Sequence, residues 1–315
     1  MTRTEGQVYG GGSLVARYAS FVKLPHTLFA LPFAGVGALF ASYAHAGGLT
    51  WASALWIVIA FTAARFAAMG FNRIVDRRHD ALNPRTARRE LPSGRLSVMQ
   101  ATLAVVVASA LFVFAAWMLN PLCGMLSPIA LFWIFFYSYA KRFTAWAHHI
   151  LGLALGIAPV GAYLAVAGEW AQPWYALPLL AAAVMFWVAG FDVIYAVQDL
   201  DFDRAQGLHS IPARTGARTA FALARLFHAI AAALFLTLGA FGLFPVGRAY
   251  LIGVAVVVVL LFYEHAAVRR AERGTLDLAT IDRAFFRTNV AVSMTLFAFT
   301  LIDRLGVLAT GGPLL

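Results

Sequence analysis

The sequence predicts an all-α membrane protein, in which nine transmembrane helices form one bundle around a central cavity and the N-terminus is cytoplasmic. Composition is the first observation: 62% of the 315 residues are apolar and only 12% are charged, against about 25% charged residues in an ordinary soluble domain. The second is that apolar stretches long enough to cross a bilayer recur from about residue 24 to the C-terminus. Together they exclude a soluble enzyme, a disordered chain and a coiled coil, and they make membrane lipid the expected surrounding.

Gly, Pro and charged clusters separate the apolar runs and set the predicted helix boundaries. The nine predicted helices cover residues 24–45, 51–76, 97–118, 121–140, 145–167, 174–200, 218–242, 248–268 and 284–308. A polar N-terminal segment over residues 1–20 precedes them, and it lacks the pattern of a removable signal peptide. No linker divides the chain, so we expect a single membrane domain over residues 1–315.

The distribution of basic residues predicts the orientation of the bundle. The loops after predicted helices 2, 4, 6 and 8 carry clusters of Lys and Arg, whereas the loops after helices 1, 3 and 5 carry none. By the positive-inside rule, the N-terminus and the basic loops are cytoplasmic. Topology and an anionic ligand account for the net charge of +10, so no nucleic-acid partner is expected. The single cysteine, Cys123, excludes a disulfide framework and a cysteine-based metal site.

A stripe of polar residues lies at the C-terminal end of each of predicted helices 2 and 6. Asn72, Asp76 and Asp80 fall at i, i+4 and i+8, which places them on one helical face. The second stripe, spaced i, i+3, i+7 and i+11, consists of Asp192, Tyr195, Asp199 and Asp203. Carboxylates on neighbouring turns repel one another unless a cation lies between them. A single Asp of this kind could be a solvated helix-end residue paired with Arg, but two matched stripes favour a functional site.

Carboxylate and amide oxygens are the ligands that Mg²⁺ prefers, and Mg²⁺ commonly bridges one or two carboxylates to phosphate groups. The basic loops beside the stripes supply positive charge for an anionic group. The pattern therefore predicts a site for a Mg²⁺-bound diphosphate at the cytoplasmic mouth of an apolar cavity.

The two stripes resemble the aspartate-rich motifs of the UbiA superfamily of intramembrane prenyltransferases. The resemblance extends to the segments 88–94 (RRELPSG), 139–144 (YAKRFT) and 207–212 (GLHSIP), and it covers essentially the whole chain. One departure is Arg73, where many members have Asp, and this puts a metal-binding role of position 73 in doubt.

The resemblance implies a transferase that moves a polyprenyl group from its diphosphate to an acceptor, which is an aromatic ring in most members of quinone pathways. The implied Mg²⁺ ligands are Asn72, Asp76, Asp80, Asp199 and Asp203. Bound Mg²⁺ stabilises the diphosphate as a leaving group, so that the allylic C–O bond can ionise. The aromatic face of Tyr195 is expected to stabilise the resulting cation.

Other basic residues near these motifs have two open interpretations. Lys141, Arg142 and Lys23 either contact the diphosphate or serve only as topology anchors. His148 and His149 are expected at the membrane interface rather than at a metal ion.

Arg65 lies seven residues before Asn72, on nearly the same face and about 10 Å deeper in the membrane. Asp192 has the same spacing from Asp199. Because a buried Arg needs a partner, one interpretation is a structural ion pair between Arg65 and Asp192. The other is that Arg65 holds the carboxylate of the acceptor while Asp192 receives its proton as a catalytic base.

Two aromatic acceptors fit these expectations, because both carry a carboxylate and a hydroxyl group. The chain as a whole resembles 4-hydroxybenzoate polyprenyltransferases of ubiquinone synthesis, which is the first interpretation. The segments 23–32 and 203–214 also resemble the subgroup in the futalosine route to menaquinone, for which the acceptor is 1,4-dihydroxy-6-naphthoate. A transporter is disfavoured, because the carboxylates cluster at helix ends and not at the midplane. A non-enzymatic quinone-binding scaffold would not need the carboxylate stripes.

Overall fold

The computed structural model describes residues 14–22, 27–45, 47–273 and 284–310, and all regular structure within these ranges is helical. In chain order the α-helices are α1 (Leu14–Phe21), α2 (Thr27–Ala44), α3 (Trp51–Leu82), α4 (Val98–Leu119), α5 (Pro121–Ala140), α6 (Ala147–Ala167), α7 (Ala176–Ala196), α8 (Leu200–Ala205), α9 (Ile211–Thr215), α10 (Ala217–Ala240), α11 (Arg248–Arg273) and α12 (Asn289–Thr310). A 3₁₀ turn, Val197–Asp199, joins α7 to α8, and a π-helical turn, Ala284–Thr288, precedes α12.

Within the described residues, eight helices are long and apolar enough to cross a membrane. They are α3, α4, α5, α6, α7 continued by α8, α10, α11 and α12. The apolar part of α2, Ala30–Ala44, is shorter than these eight. The prediction of an all-helical, multi-pass membrane protein is confirmed, and eight of the nine predicted spans meet the requirement of length and composition.

Helix α3 continues to Leu82, past the predicted end at residue 76. Asp76 and Asp80 stay helical because basic side chains from other segments neutralise both carboxylates. The helix ends before Pro84, since the residue that precedes a proline disfavours the α conformation, and Asn83 is extended, with φ −86° and ψ 118°. Both acidic residues therefore lie on α3 itself.

Helix α7 ends at Ala196, before the predicted end at residue 200, and the 3₁₀ turn follows. A 3₁₀ helix has 3.0 residues per turn and an α-helix has 3.6. Asp192 and Tyr195 therefore lie on α7, Asp199 lies in the 3₁₀ turn and Asp203 lies on α8, within one continuous helical span. Smaller differences occur near the C-terminus, where α11 extends to residue 273 and α12 begins at residue 289.

Close packing between helices depends on glycine at three positions. Gly152 and Gly156 of α6 lie against the backbone of α7, and a Cβ atom at either position would overlap a carbonyl oxygen. Gly37 of α2 lies against the backbone of α6 in the same way. Small residues let the backbones of membrane helices approach closely, so these glycines hold α2, α6 and α7 together.

The buried core lies mainly between α2, α6, α7, α10, α11 and α12. At its centre the ring of Trp187 packs against Phe33, with centroids 4.7 Å apart, and Phe33 packs against Phe235 at 5.8 Å. These aromatic contacts fix α7, the helix that ends in the second group of carboxylates.

A polar junction fixes the opposite end of the bundle. Asp303 of α12 accepts hydrogen bonds from the Tyr43 hydroxyl and from the Gly247 N–H group, both at 2.7 Å. Arg304 donates to the carbonyl oxygen of Ser42 at 2.7 Å. The junction joins the short helix α2 to α12 and to the start of α11.

Helices α2 to α6 surround a cavity of about 420 Å³. Its wall is mostly Ala, Leu, Ile and aromatic side chains, with the polar groups of Arg65 and Tyr137 at the end nearest the carboxylates. Cys123 and Trp170 line the far end. The predicted cavity within the bundle is therefore present, and its polar end lies next to the two groups of carboxylates.

Candidate active site

Asp76 is surrounded by polar groups from its own helix and from the end of α5. Lys141 Nζ lies 2.9 Å from Oδ2, and Arg142 Nη2 lies 3.3 Å from Oδ1. The Asn72 amide donates to Oδ2 at 3.3 Å. Because Asp76 is only 3% exposed, these partners compensate for the loss of hydration of its carboxylate. The structure thus brings together four residues that the sequence singled out.

Asp80 is paired with the loop that follows α3. Arg89 Nη1 lies 2.7 Å from Asp80 Oδ1, and the Thr86 hydroxyl donates to the Asp80 carbonyl oxygen at 3.0 Å. The second carboxylate oxygen, Oδ2, is buried and has no hydrogen-bond partner among the residues that the structure describes. Buried carboxylate oxygens normally have a hydrogen-bond partner. Asp80 Oδ2 is therefore suited to coordinate a cation.

Asp199 is paired with the same loop. Arg85 donates from Nε to Oδ1 at 3.0 Å and from Nη2 to Oδ2, and the Asn83 amide donates to Oδ1 at 3.0 Å. Arg85 also donates to the Tyr195 hydroxyl at 2.9 Å, and its guanidinium lies over the Tyr195 ring, 5.3 Å from the centroid. The Tyr195 ring, which was expected to face an allylic cation, therefore faces the guanidinium of Arg85 in this structure.

Asp203 lies in α8, where it is buried. Its carboxylate is within electrostatic range of Asp199 and Lys141. The loop after α8 is tied to the end of α5, because the His209 N–H donates to the Lys141 carbonyl oxygen at 2.7 Å. Asp203 therefore belongs to the same charged cluster as the other four predicted metal ligands.

Asp192 lies on α7 and is paired with a histidine of α6. His148 Nδ1 is 2.6 Å from Asp192 Oδ2, and the Ile211 N–H is directed at His148 Nε2 at 3.4 Å. Because Nε2 accepts that bond, we assign the ring proton to Nδ1, which donates it to Asp192.

His148 and His149, which were expected at the membrane interface rather than at a metal ion, lie at the start of α6. Both side chains are buried, because the start of α6 packs against α7 and α10. His149 lies between two phenylalanine rings and contacts each of them edge-on.

Arg65 and Tyr137 connect the cavity to the charged cluster. Both line the cavity, and Tyr137 is within electrostatic range of Arg65, Asp76 and Asp192. Within the described part of the chain, the ion pair that Asp192 makes is with His148 and not with Arg65. The structural pairing of Arg65 with Asp192 is therefore not found here, and the other interpretation of Arg65 stays open.

The donors fit Mg²⁺ chemically, although basic side chains hold most of them. Within the described residues, no three His, Cys, Asp or Glu side chains lie close enough together to ligate one ion. Asp76, Asp80 and Asp199 each contact a Lys or Arg instead. The cluster still offers the hard oxygen donors that Mg²⁺ prefers, and the buried Oδ2 of Asp80 has no other partner. Lys23, a further predicted contact of the diphosphate, lies outside the described residues.

Several residues of the cluster were not singled out from the sequence. They are Asn83, Arg85, Arg89, Tyr137 and His148. Arg85 was counted only as a topology signal, and Arg89 also as part of the segment 88–94 that carries the family resemblance. Tyr137 precedes Lys141 by one helical turn, which is a usable signal. His148 had no local signal, because Asp192 is 44 residues away.

The fold and the cluster define a membrane enzyme with a charged pocket beside an apolar cavity. Residues 30–290 match the UbiA prenyltransferase family, and the chain belongs to this family. It is therefore a multi-pass membrane protein that transfers prenyl groups. The 4-hydroxybenzoate octaprenyltransferase of Paraburkholderia phytofirmans is 31% identical over 233 residues, which are 72% of this chain and 77% of that protein.

Solved structures share the fold. A UbiA homolog from Aeropyrum pernix K1, in its apo form, superposes with a TM-score of 0.77 at 36% identity, over 88% of this chain and 98% of the other. A UbiA homolog from Archaeoglobus fulgidus, bound to GPP and Mg²⁺, has a TM-score of 0.67 at 20% identity, over 91% and 98% of the two chains.

Proposed function

We propose that this enzyme transfers a polyprenyl group from a polyprenyl diphosphate to an aromatic hydroxy-carboxylate, with Mg²⁺ as cofactor and 4-hydroxybenzoate as the first acceptor. The observation that carries the proposal is the cluster of carboxylates and basic side chains directly beside one end of an apolar cavity. A substrate with an anionic head and an apolar tail matches these two surroundings.

The Mg²⁺ ligands in this proposal are Asn72, Asp76, Asp80, Asp199 and Asp203. Oxygen donors of this kind suit Mg²⁺, and no other described residue forms a hydrogen bond with the buried Asp80 Oδ2. Bound Mg²⁺ supplies neutralisation of the diphosphate charge, which makes the diphosphate a better leaving group.

The basic partners of the carboxylates are proposed to bind the diphosphate. Lys141, Arg142, Arg85 and Arg89 all contact a carboxylate of the cluster. These side chains can exchange a carboxylate oxygen for a phosphate oxygen with little movement, since both acceptors suit a charged donor. Lys23 keeps its predicted role as a further contact of the diphosphate.

The acceptor is proposed to enter at the polar end of the cavity. Arg65 holds its carboxylate, and Asp192 receives the proton that the ring loses when the new C–C bond forms. Tyr195 shields the allylic cation with its aromatic face once Arg85 has turned to the diphosphate. The support for this arrangement is that Arg65 and Tyr137 line the cavity while Tyr137 is also close to Asp192.

A second acceptor, 1,4-dihydroxy-6-naphthoate for menaquinone synthesis, is the alternative. A cavity of about 420 Å³ is within the size range of small-molecule sites, so it has room for a one-ring or a two-ring acid. Both acids present the carboxylate that Arg65 would bind.

The proposed topology has nine spans, a cytoplasmic N-terminus and an active site at the cytoplasmic face of the inner membrane. Helix α2 has 18 residues and is about 27 Å long at 1.5 Å per residue, close to the roughly 30 Å of a bilayer core. The loops at the carboxylate end hold most of the Lys and Arg, as the positive-inside rule requires of cytoplasmic loops.

The test is turnover of a polyprenyl diphosphate by membranes that contain the enzyme, with 4-hydroxybenzoate and 1,4-dihydroxy-6-naphthoate offered separately. We expect prenylated product that depends on Mg²⁺ and is lost in Asp76→Ala. The matched control is Asp201→Ala, an exposed carboxylate of α8, which should keep its activity.

The outcomes separate the acceptors. Product from only one acid assigns the acceptor, and product from both identifies a permissive site. Absence of product from either acid, in protein that is folded in the membrane, contradicts the proposed acceptors.

A further inference from the structure

His148 and Asp192 form a buried pair beside the charged cluster. His148 is 4% exposed, and its Nδ1 lies 2.6 Å from Asp192 Oδ2. The side chain of Asp192 is 24% exposed, so one side of the carboxylate is buried against the imidazole and the other reaches open space. The other carboxylate oxygen, Oδ1, is not the one that contacts His148.

The second ring nitrogen of His148, Nε2, also has a hydrogen-bond partner. The Ile211 N–H is directed at His148 Nε2 from the start of α9. Both ring nitrogens are therefore engaged, so the tautomer is fixed with the proton on Nδ1 and neither nitrogen is available to a metal ion. His148 joins three segments at this point: α6, α7 and α9.

We propose that His148 is a positioning residue, which holds Oδ2 of the Asp192 carboxylate so that the other oxygen, Oδ1, receives the proton of the acceptor ring. This inference rests on the proposed function and assigns a role to a residue outside the carboxylate stripes. In this role His148 touches neither substrate.

The reaction balances without any proton movement on His148. The allylic C–O bond breaks and its electron pair leaves with the diphosphate. A ring carbon of the acceptor then forms a C–C bond to the allylic carbon. The proton on that ring carbon passes to Asp192 Oδ1, and the electron pair of the C–H bond restores the aromatic ring. Asp192 ends as a carboxylic acid and returns its proton to water.

The experiment compares two amides at position 148. In His148→Asn the amide nitrogen replaces Nδ1 and can still donate to Asp192, whereas in His148→Gln the amide group replaces Nε2. We expect His148→Gln to lower kcat for prenyl transfer about 100-fold, which is the typical cost of misplacing a reacting group by about 1 Å. His148→Asn should restore kcat to within a few-fold of wild type, and KM for the prenyl diphosphate should not change in either variant.

Two further readouts separate positioning from a general loss of structure. Slow release of pyrophosphate from the prenyl diphosphate in the absence of acceptor needs ionisation but no base, so it should persist in His148→Gln. In an Asp192→Asn background, His148→Gln should have no additional effect on kcat, because His148 acts only through Asp192.

The inference is overturned if both amides lower kcat equally, if pyrophosphate release falls with transfer, or if the two substitutions are additive. Wild-type enzyme that transfers to neither aromatic acid would contradict the proposed function instead, and this result would be known before any substitution is made.

Discussion

At the scale of single residues, Arg65 places a positive charge in the wall of an otherwise apolar cavity. We expect Arg65→Ala to raise KM for the aromatic acid about 10- to 100-fold, because a hydrogen bond to a charged group contributes about 1.5–3 kcal/mol. KM for the prenyl diphosphate should stay the same, since the diphosphate binds about 10 Å away at the carboxylates. Steady-state kinetics with each substrate varied in turn measure both constants.

Two arginine variants serve as controls for this prediction. Arg65→Lys keeps the charge but loses the planar fork of donors, so its KM for the acid should be intermediate. Arg88→Ala removes an exposed arginine of the loop after α3 and should change neither constant. An unchanged KM for the acid in Arg65→Ala would mean that the acceptor carboxylate is held elsewhere.

The sequence identified single residues well only where the partner is local. Asn72, Asp76 and Asp80 share one helix, so their spacing alone places them on one face. The contact of His148 with Asp192 was not predicted, because the two residues are 44 positions apart and no periodicity relates α6 to α7. Arg85 contacts Asp199, which is 114 residues away, so sequence spacing could not predict this contact either.

At the scale of helices, the contact between α6 and α7 sets the distance between His148 and Asp192. A Cβ at Gly156 would overlap the backbone of α7, whereas a Cβ at Gly161 on the same helix meets nothing within 4 Å. Both substitutions gain the same helix propensity, about 1 kcal/mol. The difference in stability between the two variants therefore measures the cost of the overlap between the new Cβ and the backbone of α7. We expect Gly156→Ala to be less stable than Gly161→Ala by about 1–3 kcal/mol, the usual cost of overpacking.

Thermal unfolding in detergent measures this difference, and prenyl transfer by the same samples below the unfolding temperature measures its effect on catalysis. Gly156→Ala should also lower kcat, because a wider spacing between α6 and α7 separates His148 from Asp192. Equal midpoints for the two variants would show that the helices adjust and that Gly156 does not set their spacing.

Eight of the nine predicted spans could be recognised from the sequence, because apolar length is a local property. The ends of the helices near the site could not be predicted from the sequence. α3 continues past residue 76 since Lys141 and Arg142, from the turn after α5, neutralise Asp76. The 3₁₀ turn at Val197–Asp199 has no signal in the hydrophobic pattern, so the sequence predicted one α-helix up to residue 200.

At the scale of the whole molecule, charge and apolar surface are separated along one axis. The carboxylates and their basic partners lie at the ends of α3, α5 and α7, and the cavity extends from there towards Cys123 and Trp170. Tyr137 and Cys123 both line the cavity from α5. They are 14 residues apart along that helix, which corresponds to about 21 Å.

This arrangement predicts that a long prenyl chain covers Cys123 and a short one does not. Cys123 is the sole cysteine of the chain, so a membrane-permeant maleimide labels one position, and the mass of the intact protein gives the rate. With Mg²⁺ present, octaprenyl diphosphate should slow labelling strongly, because its chain is longer than the cavity, whereas dimethylallyl diphosphate should have little effect. Inorganic pyrophosphate with Mg²⁺ controls for closure of the charged end without a tail, and Cys123→Ser controls for labelling elsewhere. Equal protection by all three diphosphates would mean that Cys123 responds to the charged end and that the prenyl chain lies outside this cavity.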